Sequence, residues 1–340
     1  MHTNKIVTFD MKIVQYGICI EMEKAIEINN LPEYIKKSGG LTDKNGYLNF
    51  PESLGTGYLK MIAPLPQLSI MLQHYELKKS LFIKRSKHND SKSVLIFSFR
   101  NVITGKQNTQ KKSSFKFMPS VQVSTADVAL DIEVPNLFET SNIIIRIEAN
   151  FLRQLLEKDN NARLTELVIQ KEQSYLYEEF ISPKIQSVAA DIFEIAASHP
   201  LANFYYKIKA EELIYLFFEN LLQRDELPKY SIHPKDIKAV YRLREEMLDN
   251  INEPPQLDIL ATKANMSVSK LGKIFKQIFG DSIYNYYQKL RMQKAAFLLR
   301  EEKLSVSEVG YQFGFSNLSH FSRLFEKHIG MKPKKYSKIN

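Results

Sequence analysis

Two stretches near the end of the chain share one spacing of apolar, small and capping residues, and few folds accept such a pattern twice. In the later stretch, 304–325, Ser305 is followed three residues on by Glu308, a capping box that starts a helix. Val306, Val309, Gly310 and Phe313 share one face of that helix, and Gly314 supplies a left-handed stop. Ser316 is placed to cap a second helix. Its buried side is Leu318, Phe321, Leu324, Phe325 and Ile329, at a 3.6-residue period, with Ser319, Ser322, Arg323 and Glu326 opposite.

The earlier copy runs in step. Leu257, Leu260, Ala261 and Ser267 lie 49 residues before Val306, Val309, Gly310 and Ser316. After one inserted residue the offset is 50, and Leu271, Ile274, Phe275, Gly280 and Tyr286 match Phe321, Leu324, Phe325, Gly330 and Tyr336. Two copies are too few for a solenoid. They predict a tandem pair of helix-turn-helix units, joined by one long helix over 282–300. About 19 residues at ~1.5 Å each make a rod of roughly 28 Å. That is near the ~34 Å at which paired recognition helices reach successive major-groove faces of DNA.

A helix with a packed back and a polar front suits the major groove. Helix 268–279 is expected to bury Val268, Leu271, Ile274, Phe275, Ile278 and Phe279. That leaves Ser269, Gly272, Lys273 and Lys276 outside, with Lys270 at the edge. Lys273 falls opposite Arg323 in the repeat. The second helix, with Ser319, His320, Ser322 and Arg323, is better equipped to read bases, since Arg323 can pair bidentately with guanine while Lys273 delivers a point charge. Arg323 contacting only phosphate is the alternative. Lys270, Lys276 and Arg291 are expected to position the DNA backbone, although Arg291 can equally fix the linking helix from within.

Residues 236–340 closely resemble the DNA-binding domain of AraC/XylS-type transcriptional regulators. The resemblance rests on Leu260-Ala261, Met266-Ser267, Leu290-Arg291-Met292-x-Lys294-Ala295, Leu298-Leu299, Val309-Gly310, Gly314-Phe315-Ser316, Phe321-Ser322-Arg323-x-Phe325, Gly330 and Pro333-x-x-Tyr336. It implies that Ser269, Gly272 and Lys273 occupy base-facing slots. More weakly, the layout of the remaining chain is similar to the siderophore-responsive branch of that family, which implies a cupin-like barrel at the front.

Charge agrees with this reading. Residues 235–340 hold 19 Lys and Arg against 11 Asp and Glu, whereas the first 234 hold 28 against 27, so the part that meets a polyanion is the last third. The single cysteine, Cys19, permits no internal disulfide and is expected to pack as a small apolar residue, in keeping with a reducing, cytoplasmic setting. No secretory signal and no run of ~18 apolar residues appears.

From residue 4 to about 147 the pattern is strands. Val128, Leu130, Ile132 and Val134 alternate with Ala129, Asp131 and Glu133, and further strands are expected at 11–20, 57–62, 67–77, 93–103, 115–123 and 142–147. Gly39-Gly40, Asn45-Gly46 and Thr104-Gly105 mark turns. The fold class expected is thus an antiparallel β barrel or sandwich over 1–147, followed by an all-α tandem helix-turn-helix domain. Between them, 148–224 reads as helical: 148–171, a helix opened by Pro183 and stopped at His199-Pro200, and a long one from Ala202 to about Arg224. The last contains Leu213–Phe218, apolar all round, which calls for burial against the chain itself or against a second subunit. Residues 225–235, with two prolines and no periodicity, read as a linker, and 236–249 as the first helix of the DNA-binding domain.

No nucleophile elbow, phosphate loop or zinc-protease spacing appears, and the seven histidines form no metal-ligand group, so neither catalysis, cofactor nor metal is expected. The function expected is a sequence-specific regulator, an activator working with RNA polymerase. It would bind double-stranded DNA as a homodimer and answer to a small-molecule effector in the β-rich part. Control by a protein partner, or an enzyme tethered to DNA, are the alternatives.

Overall fold

A computed structural model describes residues 26–84, 93–103, 119–128, 131–157, 176–196, 198–223, 232–300 and 302–338. The strand expected at 11–20, Cys19, Thr104-Gly105, residues 158–171 of the helix expected at 148–171 and most of the expected linker 225–235 lie outside the described residues. Contacts divide the chain into two units, one before Tyr230 and one from Ser231 onwards, the second also taking in Tyr177–Glu179.

Two sheets form, with nearly all of their residues in the first unit. The strands are β1 (Ile26–Ile28), β2 (Leu41–Thr42), β3 (Tyr47–Asn49), β4 (Gly55–Leu65), β5 (Leu68–Leu77), β6 (Leu81–Lys84), β7 (Val94–Arg100), β8 (Ser120–Thr125), β9 (Asp131–Val134), β10 (Glu139–Glu148) and β11 (Leu176–Phe180). Eight form a sheet in the order β11-β8-β7-β10-β5-β4-β3-β2, antiparallel from β8 through β2. The smaller sheet, β1-β6-β9, pairs β1 with β6 in parallel. Ile28, Leu48, Leu59, Tyr75, Leu77, Leu81 and Val134 come from both sheets into one apolar cluster, which makes the first unit two packed sheets rather than isolated hairpins.

Two elements depart from the sequence expectation. Helix α1 (Leu31–Lys37) interrupts the strand-rich part. Asn30 caps it by accepting from the Glu33 amide at 3.1 Å, and Pro32 lies in its first turn. Strand β11 falls within 148–224, where only helices were expected. Its five residues are too few to show a period, and its partner β8 lies some fifty residues earlier, so only tertiary pairing makes it a strand.

Helix α2 (Ala149–Glu157) follows β10. Helices α3 (Pro183–Glu194), capped by Ser182, and α4 (Ala202–Leu222) pack together, and α4 lies against β4. Leu213, Ile214, Leu216, Phe217 and Phe218 of α4 are all buried within the chain, Phe217 and Phe218 meeting Phe97 edge-on at 5.5 and 6.0 Å. Tyr215, in the same run, is exposed.

The second unit is helical: α5 (Pro234–Asp249), α6 (Leu257–Ala264), α7 (Val268–Phe279), α8 (Ile283–Arg300), α9 (Val306–Gln312), α10 (Leu318–Ile329) and α11 (Pro333–Tyr336). Helix α5 begins two residues before its expected start at Asp236, because Pro234 suits a first turn and His233 caps the Lys235 amide. The repeat is realised in packing. Phe275 meets Tyr286 edge-on at 5.2 Å and Phe325 meets Tyr336 edge-on at 5.6 Å, the same pair in each copy. No helix among the described residues is long and apolar enough to cross a membrane.

Candidate nucleic-acid interface

Each helix-turn-helix is built by its caps. In the first, Ser267 accepts from the Lys270 amide at 3.2 Å and starts α7, and Gly280 at φ 76° ends it. In the second, Ser305 and Glu308 form the reciprocal box that starts α9. The box also holds the Glu308 carboxyl below its ordinary value, through hydrogen bonds from the Ser305 side chain and amide.

The cap of α10 is Asn317, not Ser316. Its side chain accepts from the Ser319 and His320 amides at 2.9 and 3.2 Å. The inserted residue is therefore absorbed in the turn, so that Asn317, fifty positions after Ser267, takes the equivalent cap. Gly310 lets α9 approach α10 closely, since a Cβ there would lie 2.5 Å from Leu318 Cδ2 and the Leu318 side chain would have to move.

The backs of α7 and α10 are packed as their periods require. Leu271, Phe275, Ile278 and Phe279 are buried in α7, and Phe321 and Phe325 in α10. Phe321 and Phe325 share a core with Met292, Ala295 and Leu299 of α8 and Val309 and Phe313 of the α9 end. Val268 departs from expectation. It stands in the first turn of α7, before the helix has settled on its neighbours, and is 39% exposed.

On the outer faces, Ser269, Lys270, Lys273 and Lys276 of α7 and Ser319, His320 and Arg323 of α10 are exposed, with Gly272 and Ser322 half-exposed. Lys270 is held by Asp236 of α5 at 2.9 Å. The His320 ring rests edge-on against Phe315 at 5.6 Å, which fixes it at the N-terminus of α10. Arg323 and Lys273 have no ion pair or hydrogen bond among the described residues, so both cations face outward unspent.

Arg291 is placed differently. It is half-buried, donates to the Phe313 carbonyl and to Gln288 Oε1 at 3.3 Å, and sits over the rings of Tyr287, Phe313 and Phe315. Its contacts are those of the internal role, tying α8 to the end of α9 and closing one of that helix's last carbonyls. Sequence reading did not find Arg244. This buried α5 side chain donates from Nε to Tyr286 Oη at 2.8 Å and pairs with Glu178 at 3.4 Å. Nothing in the local pattern sets it apart from the other charges of α5.

Two helix-turn-helix motifs with packed backs, capped N-termini and free cations on their fronts, held on one 18-residue helix, define a DNA-binding protein of the tandem helix-turn-helix class. Residues 260–339 match the family described as a helix-turn-helix domain. The probable transcription factor PqrA of Proteus vulgaris is 34% identical over 85 residues, 25% of this chain and 70% of that protein. The HTH-type transcriptional regulator GbdR of Pseudomonas aeruginosa is 35% identical over 85 residues, 25% of this chain and 23% of its own length. The HTH-type transcriptional activator RhaR of Escherichia coli is 27% identical over 141 residues, 42% of this chain and 49% of that protein. Among solved structures, an AraC-type regulator from Chromobacterium violaceum is similar at 33% identity and TM-score 0.27, over 31% of this chain and 89% of that one. The chain belongs to the AraC-type family of DNA-binding transcriptional regulators. The matched stretches span less than half of GbdR and RhaR.

Proposed function

We propose that the chain is a sequence-specific transcriptional activator that works in the cytoplasm with RNA polymerase. In this reading α7 and α10 enter successive major-groove faces of one duplex, and the first unit governs them in answer to a small-molecule effector. The observation that carries the DNA part is the pair of unspent cations, Lys273 and Arg323, at equivalent places on two helices joined by α8. At ~1.5 Å per residue that helix is a rod of about 27 Å, which suits neighbouring turns of one duplex.

A homodimer is supported by α4. With its apolar run buried inward, it still presents Leu201, Phe204, Ile208 and Tyr215, each between 43% and 61% exposed, at its start and along one side. Their spacing of three, four and seven residues confines them to a single stripe. Two such stripes packed together would pair two DNA-binding units and raise affinity through effective concentration.

The test is selection of the full-length protein on a randomised duplex. Enrichment of two short motifs separated by about 10 base pairs is expected. Recovery of one isolated short motif would show that only one of the two helices reads DNA.

A further inference from the structure

In the eight-stranded sheet, the cross-strand row Tyr47, Lys60, Leu72, Ile143, Phe99, Val121 runs from β3 through β4, β5, β10 and β7 to β8. Leu72, Ile143, Phe99 and Val121 are buried apolar residues, and Lys60 in the same row is only 7% exposed. An ammonium group in such a row loses most of its hydration, and an opposite charge ordinarily compensates. No carboxylate pairs with Lys60 among the described residues. Asp43, the acid whose charge it feels, is held by the Asn45 and Tyr47 amides at 2.9 and 3.0 Å.

What surrounds the amine is aromatic. Lys60 Nζ lies 3.5 Å from Tyr47 Oη and 3.5 Å from Tyr206 Oη, at 4.4 and 5.3 Å from the two ring centres. Both hydrogen bonds are at the long limit. Tyr58, on the same face of β4, sets its ring edge-on to Tyr47 at 4.8 Å. Burial pushes the Tyr206 phenol up to about 12 and raises those of Tyr47 and Tyr58, so all three keep their protons at neutral pH.

The arrangement is rich in donors and short of acceptors. Tyr47 and Tyr206 accept from Lys60, and their own O–H groups have no acceptor among the described residues. The missing partner is a compact acceptor of one negative charge. A carboxylate supplies that, whereas a doubly charged phosphate would leave excess negative charge beside one ammonium. Tyr47 and Tyr58 are half-exposed and Tyr206 is buried, so entry is past the first two rings.

We propose that Lys60, with the hydroxyls of Tyr47 and Tyr206, holds the carboxylate of a small organic acid, and that this acid is the effector of the first unit. The second half rests on the effector reading above; the binding site does not.

The probe is sodium acetate, with sodium chloride at equal ionic strength, acetamide and sodium phosphate as comparisons, on full-length protein followed by thermal unfolding. Acetate is expected to raise the midpoint above chloride, acetamide to do nothing, and phosphate to do less than acetate. Lys60→Met should weaken the acetate response at least tenfold and unfold at a higher temperature than wild type without acetate, because an uncompensated buried charge is gone. Tyr206→Phe should keep the fold and weaken the acetate response. An acetate response no greater than that to chloride, or one retained in Lys60→Met, overturns the site. So does a lower unfolding temperature for unliganded Lys60→Met. Phosphate acting more strongly than acetate overturns the carboxylate assignment. Binding to duplex DNA, read separately by fluorescence anisotropy, decides the other half: acetate binding through Lys60 that leaves DNA affinity unchanged overturns the effector role alone.

Discussion

Asn265 and Gly314 are the same turn residue in two copies of one motif. Both are left-handed, at φ 55° and 74°, and the amide after each reaches back five residues, Met266 N to Ala261 O and Phe315 N to Gly310 O, both at 3.0 Å. The two chemistries serve one backbone, since asparagine is among the few side chains that visit this region and glycine enters it freely.

Substitution at these turns should therefore act through the backbone. A Cβ at Gly314 would meet nothing within 4 Å, so Gly314→Ala tests conformational strain alone. It should cost about 1–2 kcal/mol, as should Asn265→Ala, while Asn265→Gly should be nearly neutral. Urea denaturation of the three variants measures this, and a neutral Gly314→Ala would contradict it.

The helix-turn-helix unit was legible because its signals are local. Ser305 and Glu308 are three residues apart, and Gly280, Gly314 and Gly330 stand where helices must stop. Even so, the cap expected at Ser316 falls one residue later, at Asn317, where the packing of α10 sets the start of the helix. The first unit was legible as strands but not as a sheet. Strand β10 is placed by β5 and β7, whose partners lie tens of residues away, and no local pattern carries that register. Lys60 looked like any strand lysine until its row neighbours were known. Helix α1 did carry a signal, Asn30 followed by Pro32, too short to outweigh the strands around it.

Arg244 should be a stability residue. Truncating it removes a cation from beside the buried Glu178 carboxylate and a donor from Tyr286 Oη. Breaking a buried pair from one side typically costs about 3–5 kcal/mol. Arg244→Ala should lower the unfolding midpoint accordingly. A loss below ~1 kcal/mol would mean that the pair is already well hydrated.

Acid should loosen the second unit through His328. Burial, with Lys327 and Lys289 nearby, lowers its pKa below the ordinary 6.5. The unfolded chain then takes up a proton at higher pH than the folded one. The contribution of neutral His328 is full above about pH 6.5 and is lost as pH falls from there through the folded value. Wild type should lose more stability between pH 7.5 and 5.5 than His328→Gln does, as read by urea midpoints. Equal losses would remove His328 from the account.

The stripe on α4 predicts what holds two copies together. Phe204 and Ile208 are one turn apart and exposed on the same side of the helix. Phe204→Glu should leave the fold intact, because the residue is 60% exposed. It should shift full-length protein toward monomer in sedimentation velocity, and affinity for a paired site should fall while that for a single site is kept. If Phe204→Glu sediments as wild type, the interface lies elsewhere or the protein is monomeric.

The two recognition helices should divide the work unequally. Arg323 offers a planar fork on a face with Ser319 and Ser322, while α7 offers Ser269, Gly272 and Lys273, which bring charge but little hydrogen-bonding pattern. Arg323→Ala should cost about 1–3 kcal/mol and relax preference at one base position. Lys276→Ala should weaken all sequences about equally and lower the salt slope by roughly one unit. Lys273→Ala should fall between them. Binding selection on randomised half-sites, repeated at two salt concentrations, separates the three. If Lys273→Ala loses the preference and Arg323→Ala keeps it, then α7 is the reader, and the point charge of Lys273 specifies what the fork of Arg323 does not.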